Sequence, residues 1–156
     1  MKRVAISVFT HTVAVLAGFA LGIYLLPILT APPPPSDESV QALQDQAEFS
    51  ATFVRDLDGS DALHWGDGDV YIGPRGIALR GKIAPGPDYR LYLSPQFVEN
   101  EKQVLRIKDQ MIQVGEVKTF ENFLVNFSDT VNLTDYNTVL IWCETFGEFI
   151  SAAKYR

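Results

Sequence analysis

A single cysteine, Cys143, carries the most distinctive chemistry in this chain. It lies in the apolar run NTVLIWCETFGEFISAA, which extends from Asn137 to Ala153. A thiol in such a run can pack as a small hydrophobic group, or it can serve redox chemistry as a thiolate or a metal ligand. The chain has no second cysteine, so an intramolecular disulfide is excluded.

The residues next to the cysteine predict which way its side chain points. Alternation along a strand puts Val139, Ile141 and Cys143 on one face, and Trp142 with Glu144 on the other. Cys143 therefore continues an aliphatic row that we expect to face the core. A thiol buried among apolar groups has a raised pKa and reacts slowly, so the local pattern alone favours a packing role.

The N-terminal segment predicts a membrane anchor. No Asp, Glu, Lys or Arg interrupts the run from Val4 to Thr30, which is longer than the roughly 20 apolar residues that a spanning helix needs. Lys2 and Arg3 at its start favour a cytoplasmic N-terminus and an extracytoplasmic remainder, in the periplasm or at the cell surface. A cleaved signal peptide is the alternative, but the run is long for one and Pro32 follows its best small-residue exit.

A short linking region follows the apolar run. Four consecutive prolines, in APPPP, predict an extended spacer, and SDESVQALQDQAEF predicts a short stalk helix capped by Ser36. We therefore divide the chain into a cytoplasmic tip and anchor (1–30), a spacer with a short helix (31–48) and an extracytoplasmic domain (49–156).

The remaining residues predict an all-β domain, because short strand-like runs alternate with Gly, Pro and Asp. The runs are SATFVR, DVYIGPRGIALRG (a hairpin turning at 73–76), YRLYLS, QVLRIK, MIQVGEV, NFLVNF and, as the last strand, NTVLIWCE. Many short strands at close spacing indicate an antiparallel β-sandwich or barrel.

Charge excludes one class of partner. The formal net charge is −6, and without Lys2 and Arg3 the rest of the chain carries 11 positive and 19 negative groups, or −8. Nucleic acids require a basic surface, so no nucleic-acid partner is expected. The chain also lacks a Gly-x-Ser-x-Gly elbow and a phosphate-binding loop, which argues against common hydrolase chemistry.

Two segments resemble the DM-thirteen family, the electron-transfer DM domain. One is GPDYRLYLS, which begins at Gly86, Pro87 and Asp88; the other is the ending YNTVLIWCETFGEFISAA, with Tyr136, Trp142 and Cys143 in the motif positions. The resemblance covers roughly residues 49–153, and His64 could correspond to a histidine common in the family. It implies a β-sandwich-like module whose cysteine has been proposed to serve redox chemistry beside membrane oxidoreductases.

Two functions therefore remain open. The first is an accessory redox or electron-transfer module, without independent turnover, centred on Cys143 and partnered by a membrane oxidoreductase. If His64 meets Cys143 across the fold, the pair could ligate haem iron or copper, or the imidazole could lower the pKa of the thiol. The second is a non-catalytic binding module in which Cys143 is structural.

Overall fold

A computed structural model gives the fold and describes residues 1–128 and 130–156. The helices are α1 (Lys2–Thr30), α2 (Asp37–Gln44) and α3 (Glu101–Ile107). The strands are β1 (Phe49–Phe53), β2 (Gly66–Gly73), β3 (Gly76–Ile83), β4 (Tyr89–Ser94), β5 (Ile112–Val117), β6 (Glu121–Asn126), β7 (Thr138–Cys143) and β8 (Glu148–Lys154). Short 3-10 turns occupy Lys108–Gln110 and Leu133–Asp135.

Eight strands form two antiparallel sheets of four. The first sheet has the order β1-β2-β3-β6 and the second the order β5-β4-β7-β8. The sheets also approach each other at their margins, where β1 lies beside β8 and β5 beside β6. This arrangement confirms the predicted all-β, antiparallel, sandwich-like domain.

The main core lies between the two sheets, and β7 contributes its inner face to it. Val139, Ile141 and Cys143 all lie in this core, as the alternation predicts. The opposite face of β7 is buried as well, because α3 covers it and encloses Leu140 and Trp142 in a second apolar cluster. Strand β7 is therefore buried along its whole length on both faces.

The prediction of a strand at QVLRIK is wrong, since this segment forms α3. Asn100 caps the helix by accepting a hydrogen bond from the N–H of Gln103, at 2.9 Å. The Gln103 side chain reaches back to accept from the N–H of Glu99, also at 2.9 Å. Val104 and Ile107, spaced three residues apart, are the buried pair. The Asn100 cap and the helical spacing of the buried residues therefore outweigh the apparent apolar alternation that suggested a strand.

The prediction that NTVLIWCE is the last strand is also wrong, because β8 follows it. The turn between the strands is closed by the N–H of Gly147 donating to the carbonyl of Cys143, at 2.9 Å. Gly147 adopts φ +68°, which favours glycine at this position. The pairing of β7 with β8 is irregular between Ile141 and Trp142, beside the cysteine.

The two N-terminal helices form as predicted. α1 is long and apolar enough to cross a membrane, by length and composition. α2 begins at the Ser36 cap, whose hydroxyl accepts from the N–H of Ser39 at 3.3 Å. The helix packs on the first sheet: Val40 is fully buried, and Arg80 of β3 donates to the side chain of Gln44 at 2.9 Å.

Candidate functional site

One cavity brings the cysteine and the histidine of the sequence analysis together. We call it the sulfur cavity; its volume is about 380 Å³. It lies where β7 ends and β4 begins, beside the loop that precedes β2 and the last turns of α1. Its lining residues are Ala20, Ile23, Tyr24, Leu63, His64, Pro85, Gly86, Pro87, Tyr89, Cys143, Phe146 and Glu148. His64 and Cys143 therefore line the same cavity, and their roles there stay a prediction.

Cys143 is the last residue of β7, so it borders both the core and the cavity. It is 2% exposed and is a free thiol. Burial raises the pKa of the Cys143 thiol, while the nearby backbone amides of Phe146 and Asp88 act in the opposite direction. The thiol is accordingly protonated at neutral pH, and the turn around it offers partial support to a thiolate.

Tyr89 faces Cys143 directly in the β4–β7 pairing. Directly paired side chains on antiparallel strands lie about 5 Å apart at Cβ, so the phenol and the thiol are neighbours. Burial raises the pKa of Tyr89, and the adjacent Cys143 adds to the rise. The phenol is 4% exposed as a residue, so the cavity presents a neutral hydroxyl next to a neutral thiol.

The Gly86-Pro87-Asp88 turn holds this end of the site. Gly86 is required sterically, because a Cβ there would collide with the ring and hydroxyl of Tyr89. The carbonyl of Asp88 accepts from the N–H of Glu144 at 3.0 Å, and its carboxylate accepts from the hydroxyl of Thr145 at 3.0 Å. Asp88 thus ties the start of β4 to the turn that follows Cys143.

His64 is positioned by Asp61 in the loop before β2. The ring Nδ1 lies 3.0 Å from the Asp61 carboxylate, whose other oxygen accepts from the backbone N–H groups of Leu63 (2.7 Å) and His64 (2.8 Å). The contact with His64 lowers the pKa of Asp61, despite the opposing effect of partial burial. An ionised carboxylate can only accept, so Nδ1 carries a proton, and the remaining nitrogen, Nε2, is the one that can accept or donate at the cavity side.

His64 also lines a second, more polar pocket. That pocket has a volume of about 390 Å³, and its walls include the carboxylates of Asp58, Asp61, Glu101 and Glu148. The imidazole therefore stands between the sulfur cavity and an acidic surface pocket.

Two residues of the C-terminal motif lie away from the cavity. Tyr136 precedes β7 and packs against the opposite end of the core from Cys143. Trp142 points to the other face of the sheet, where it is 1% exposed and the ammonium of Lys108 lies 5.0 Å from its ring centroid. These positions fit structural roles, since Trp142 fills the cluster beneath α3.

Glu144 joins the end of β7 to that outer face. Its carboxylate accepts two hydrogen bonds from Lys108, at 2.7 and 2.8 Å, and one from the hydroxyl of Tyr92. Burial alone would raise the pKa of Glu144, but the bonds from Lys108 and Tyr92 outweigh it and leave the pKa below its ordinary value. This ion pair fixes the residue that immediately follows Cys143.

The donor set at the cavity is small for a metal. Within residues 1–128 and 130–156, no three His, Cys, Asp or Glu side chains cluster so as to hold a metal ion. Cys143 and His64 would supply at most one thiolate and one imidazole, which is fewer than the four protein ligands of a structural zinc centre; copper and haem iron accept both ligand types.

The sequence profile described as electron transfer DM13 matches residues 52–155. The chain belongs to the DM13 family. No curated protein and no solved structure matches the chain. The matched range contains the motif residues and His64, so the resemblance seen in the sequence is confirmed, and the family description supports a redox-related module.

Sequence reasoning missed two residues of this DM13 site. Tyr89 was not singled out, because its pairing with Cys143 depends on a strand register that no local pattern reveals. Asp61 was one of several aspartates in a loop. The three-residue spacing of Asp61 and His64 is the signal that could have indicated their contact. It is typical of an Asx turn, in which the Asp side chain accepts from backbone N–H groups further along the chain, and it brings the imidazole within reach of the same carboxylate.

We expect Gly86→Ala to destabilise the protein by about 1–3 kcal/mol, because the new methyl group overpacks the buried ring of Tyr89. Gly73→Ala is the matched control, since a Cβ there meets nothing closer than 3.5 Å. Its effect should not exceed about 1 kcal/mol. Chemical denaturation of the two variants measures the difference, and equal stabilities would contradict the proposed packing of Tyr89 on Gly86.

We expect Asp61→Ala to remove the Nδ1–H preference of His64, because the carboxylate that accepts from Nδ1 is lost. The ¹⁵N spectrum of the imidazole reports the tautomer. Loss of the two backbone hydrogen bonds should also lower stability by about 1 kcal/mol. Asp56→Ala is the control, because Asp56 is an exposed loop aspartate without a side-chain hydrogen bond to any described residue. An unchanged tautomer in Asp61→Ala would refute the positioning role.

Proposed function

We propose that this protein is an accessory redox module, held at a membrane by α1 with its β domain on the extracytoplasmic side, and that the sulfur of Cys143 is its redox centre. The observation that carries the proposal is the sulfur cavity, which is lined by the chain's only thiol together with an imidazole and a phenol. The DM13 membership supports redox chemistry in general, and the cavity supports assigning that chemistry to this atom.

The groups around the sulfur suit controlled rather than spontaneous reactivity. With its pKa raised by burial, the thiol resists oxidation at neutral pH until a base removes its proton. His64 is the base we assign to this step, because Asp61 accepts from Nδ1, which directs Nε2 to accept a proton, and the ring lines the same cavity. Such restraint suits an exported protein with one cysteine, which has no internal partner with which to form a disulfide.

A balanced step illustrates the chemistry that the sulfur can perform. A small disulfide enters the cavity, the Cys143 thiolate attacks one of its sulfurs, and a new S–S bond forms as the old one breaks. The released sulfur takes the proton that His64 had accepted. A thiol of a membrane oxidoreductase then attacks the other sulfur of the mixed disulfide and forms an S–S bond with it. The bond to Cys143 breaks, and the donor's proton goes to the Cys143 sulfur, which restores the thiol.

Anchoring would place this site beside membrane partners. α1 has the length and apolarity of a spanning helix, and Lys2 with Arg3 favours a cytoplasmic N-terminus. The charge of −8 on the remaining chain suits the aqueous side of a membrane, away from anionic lipid.

We expect Cys143 in the full-length protein, reconstituted in phosphatidylcholine nanodiscs, to react with N-methylmaleimide while folded. His64→Gln should slow the reaction at neutral pH on the order of tenfold, the change that one pKa unit in thiolate fraction produces. His11→Gln is the matched control, because His11 is the other histidine and lies in α1. Mass spectrometry after timed quenching gives the rates.

Labelling that begins only on global unfolding would refute the redox assignment and favour the binding module with a structural cysteine. Haem or copper remains a separate prediction. A visible absorbance band and bound metal that both disappear in Cys143→Ser would identify the sulfur as a ligand, and oxidation would then involve the bound metal rather than the free thiol.

Stability against pH provides an independent test of the buried thiol. The folded pKa of Cys143 lies above its ordinary value of 9.0, so the thiol's contribution is fully present below pH 9.0. Above pH 9.0 the unfolded chain ionises first, and wild-type stability should fall relative to Cys143→Ser by up to about 1.4 kcal/mol per pH unit until the folded pKa is reached. Parallel stability curves for the two proteins would contradict a raised pKa.

A further inference from the structure

The last turns of α1 lie against the β domain, and they do so at the sulfur cavity. Ala20, Ile23 and Tyr24 line the cavity from the helix side. Further along, Ile28 and the prolines after α1 line a second cavity of about 610 Å³ against Trp65 and Phe120. The C-terminal third of the helix therefore lies beside the domain, and the two cavities separate them.

The length of α1 indicates where its C-terminal third lies relative to a bilayer. α1 contains 29 residues, which at about 1.5 Å per residue is roughly 44 Å, against about 30 Å of hydrocarbon. The turns before Ala20, residues 2–19, already account for roughly 27 Å. The excess is about 14 Å, or roughly nine residues, so Tyr24 and the turns after it lie in the headgroup region at the outer surface, with Ala20 just inside the hydrocarbon.

The domain presents exposed apolar side chains beside these turns of α1, at the depth of the outer headgroup region. Leu63 and Phe146 both line the sulfur cavity and are 56% and 52% exposed. Large apolar groups at the rim of a cavity beside a membrane helix have a favourable environment in the headgroup and acyl boundary. The space between helix and domain is walled mainly by apolar groups, so lipid chains fill it more favourably than water.

We propose that the rim formed by Leu63 and Phe146 is a bilayer-docking surface, so that the sulfur cavity opens into the lipid interface. The inference rests on the membrane anchoring given under the proposed function, and it adds the route of access. A partner for Cys143 arrives dissolved in the membrane rather than from bulk water. The occupant of the rim is zwitterionic lipid, because the −8 charge of the chain beyond Arg3 repels an anionic surface.

Depth measurements by spin labelling test the docking surface. Phe146→Cys and Leu63→Cys are labelled separately in a Cys143→Ser background, in full-length protein in phosphatidylcholine nanodiscs. Leu105→Cys is the matched control, because Leu105 is also 56% exposed but lies on α3, away from the cavity. We expect the rim labels to be more accessible to oxygen than to an aqueous nickel chelate, and the control label to show the reverse.

Rim labels with the same aqueous accessibility as the control would overturn the docking surface. This result would leave the proposed function standing, because the background lacks the thiol and the measurement does not depend on its chemistry. Conversely, an unreactive Cys143 would refute the redox centre without altering the measured depth.

A second measurement tests the route with the native cysteine. A lipid-soluble maleimide with a short alkyl tail should label Cys143 at least about tenfold faster than a sulfonated maleimide in nanodiscs, and the preference should shrink when Phe146→Ser makes the rim polar. Faster labelling by the sulfonated reagent would overturn access from the lipid.

Discussion

The pairing of β4 with β7 is the interaction on which the site depends. β7 is a central strand that is buried on both faces, so a one-residue slip of its register would exchange the row that packs between the sheets with the row that packs beneath α3. That register brings Tyr89 opposite Cys143. The carboxylate and the backbone carbonyl of Asp88 then accept hydrogen bonds from the turn that follows Cys143. The thiol is placed at the end of a rigid strand, where the core meets an opening.

Cys143 is buried in the core and also borders the sulfur cavity. Apolar surroundings keep the thiol protonated, whereas nearby backbone amides offer support to a thiolate. The cavity beside the thiol is also lined by His64 and Tyr89. A freely reactive cysteine would not be 2% exposed. The sulfur of Cys143 is therefore shielded from solvent although it borders a cavity.

Much of the fold could be predicted from local sequence. The Gly73–Gly76 hairpin, the Ser36 cap and the inward row of β7 follow from turn chemistry, capping and alternation, each of which acts over a few residues. The errors arose where two local signals competed. In α3, an apolar alternation concealed the Asn100 cap, and in β8 the small residues of ISAA gave weak strand propensity although the sheet buries them. The joint position of His64 and Cys143 could be anticipated only through the family resemblance, and Tyr89 and Asp61 required the tertiary pairing itself.

The position of His64 in the walls of two pockets has a consequence for how protons and reactants would reach the sulfur of Cys143. The sulfur cavity is lined mainly by apolar groups and by the helix α1, whereas the second pocket is lined by several carboxylates, and His64 and Glu148 line both. Under the proposed redox role, the imidazole would exchange protons with water in the second pocket while an apolar reactant occupies the sulfur cavity.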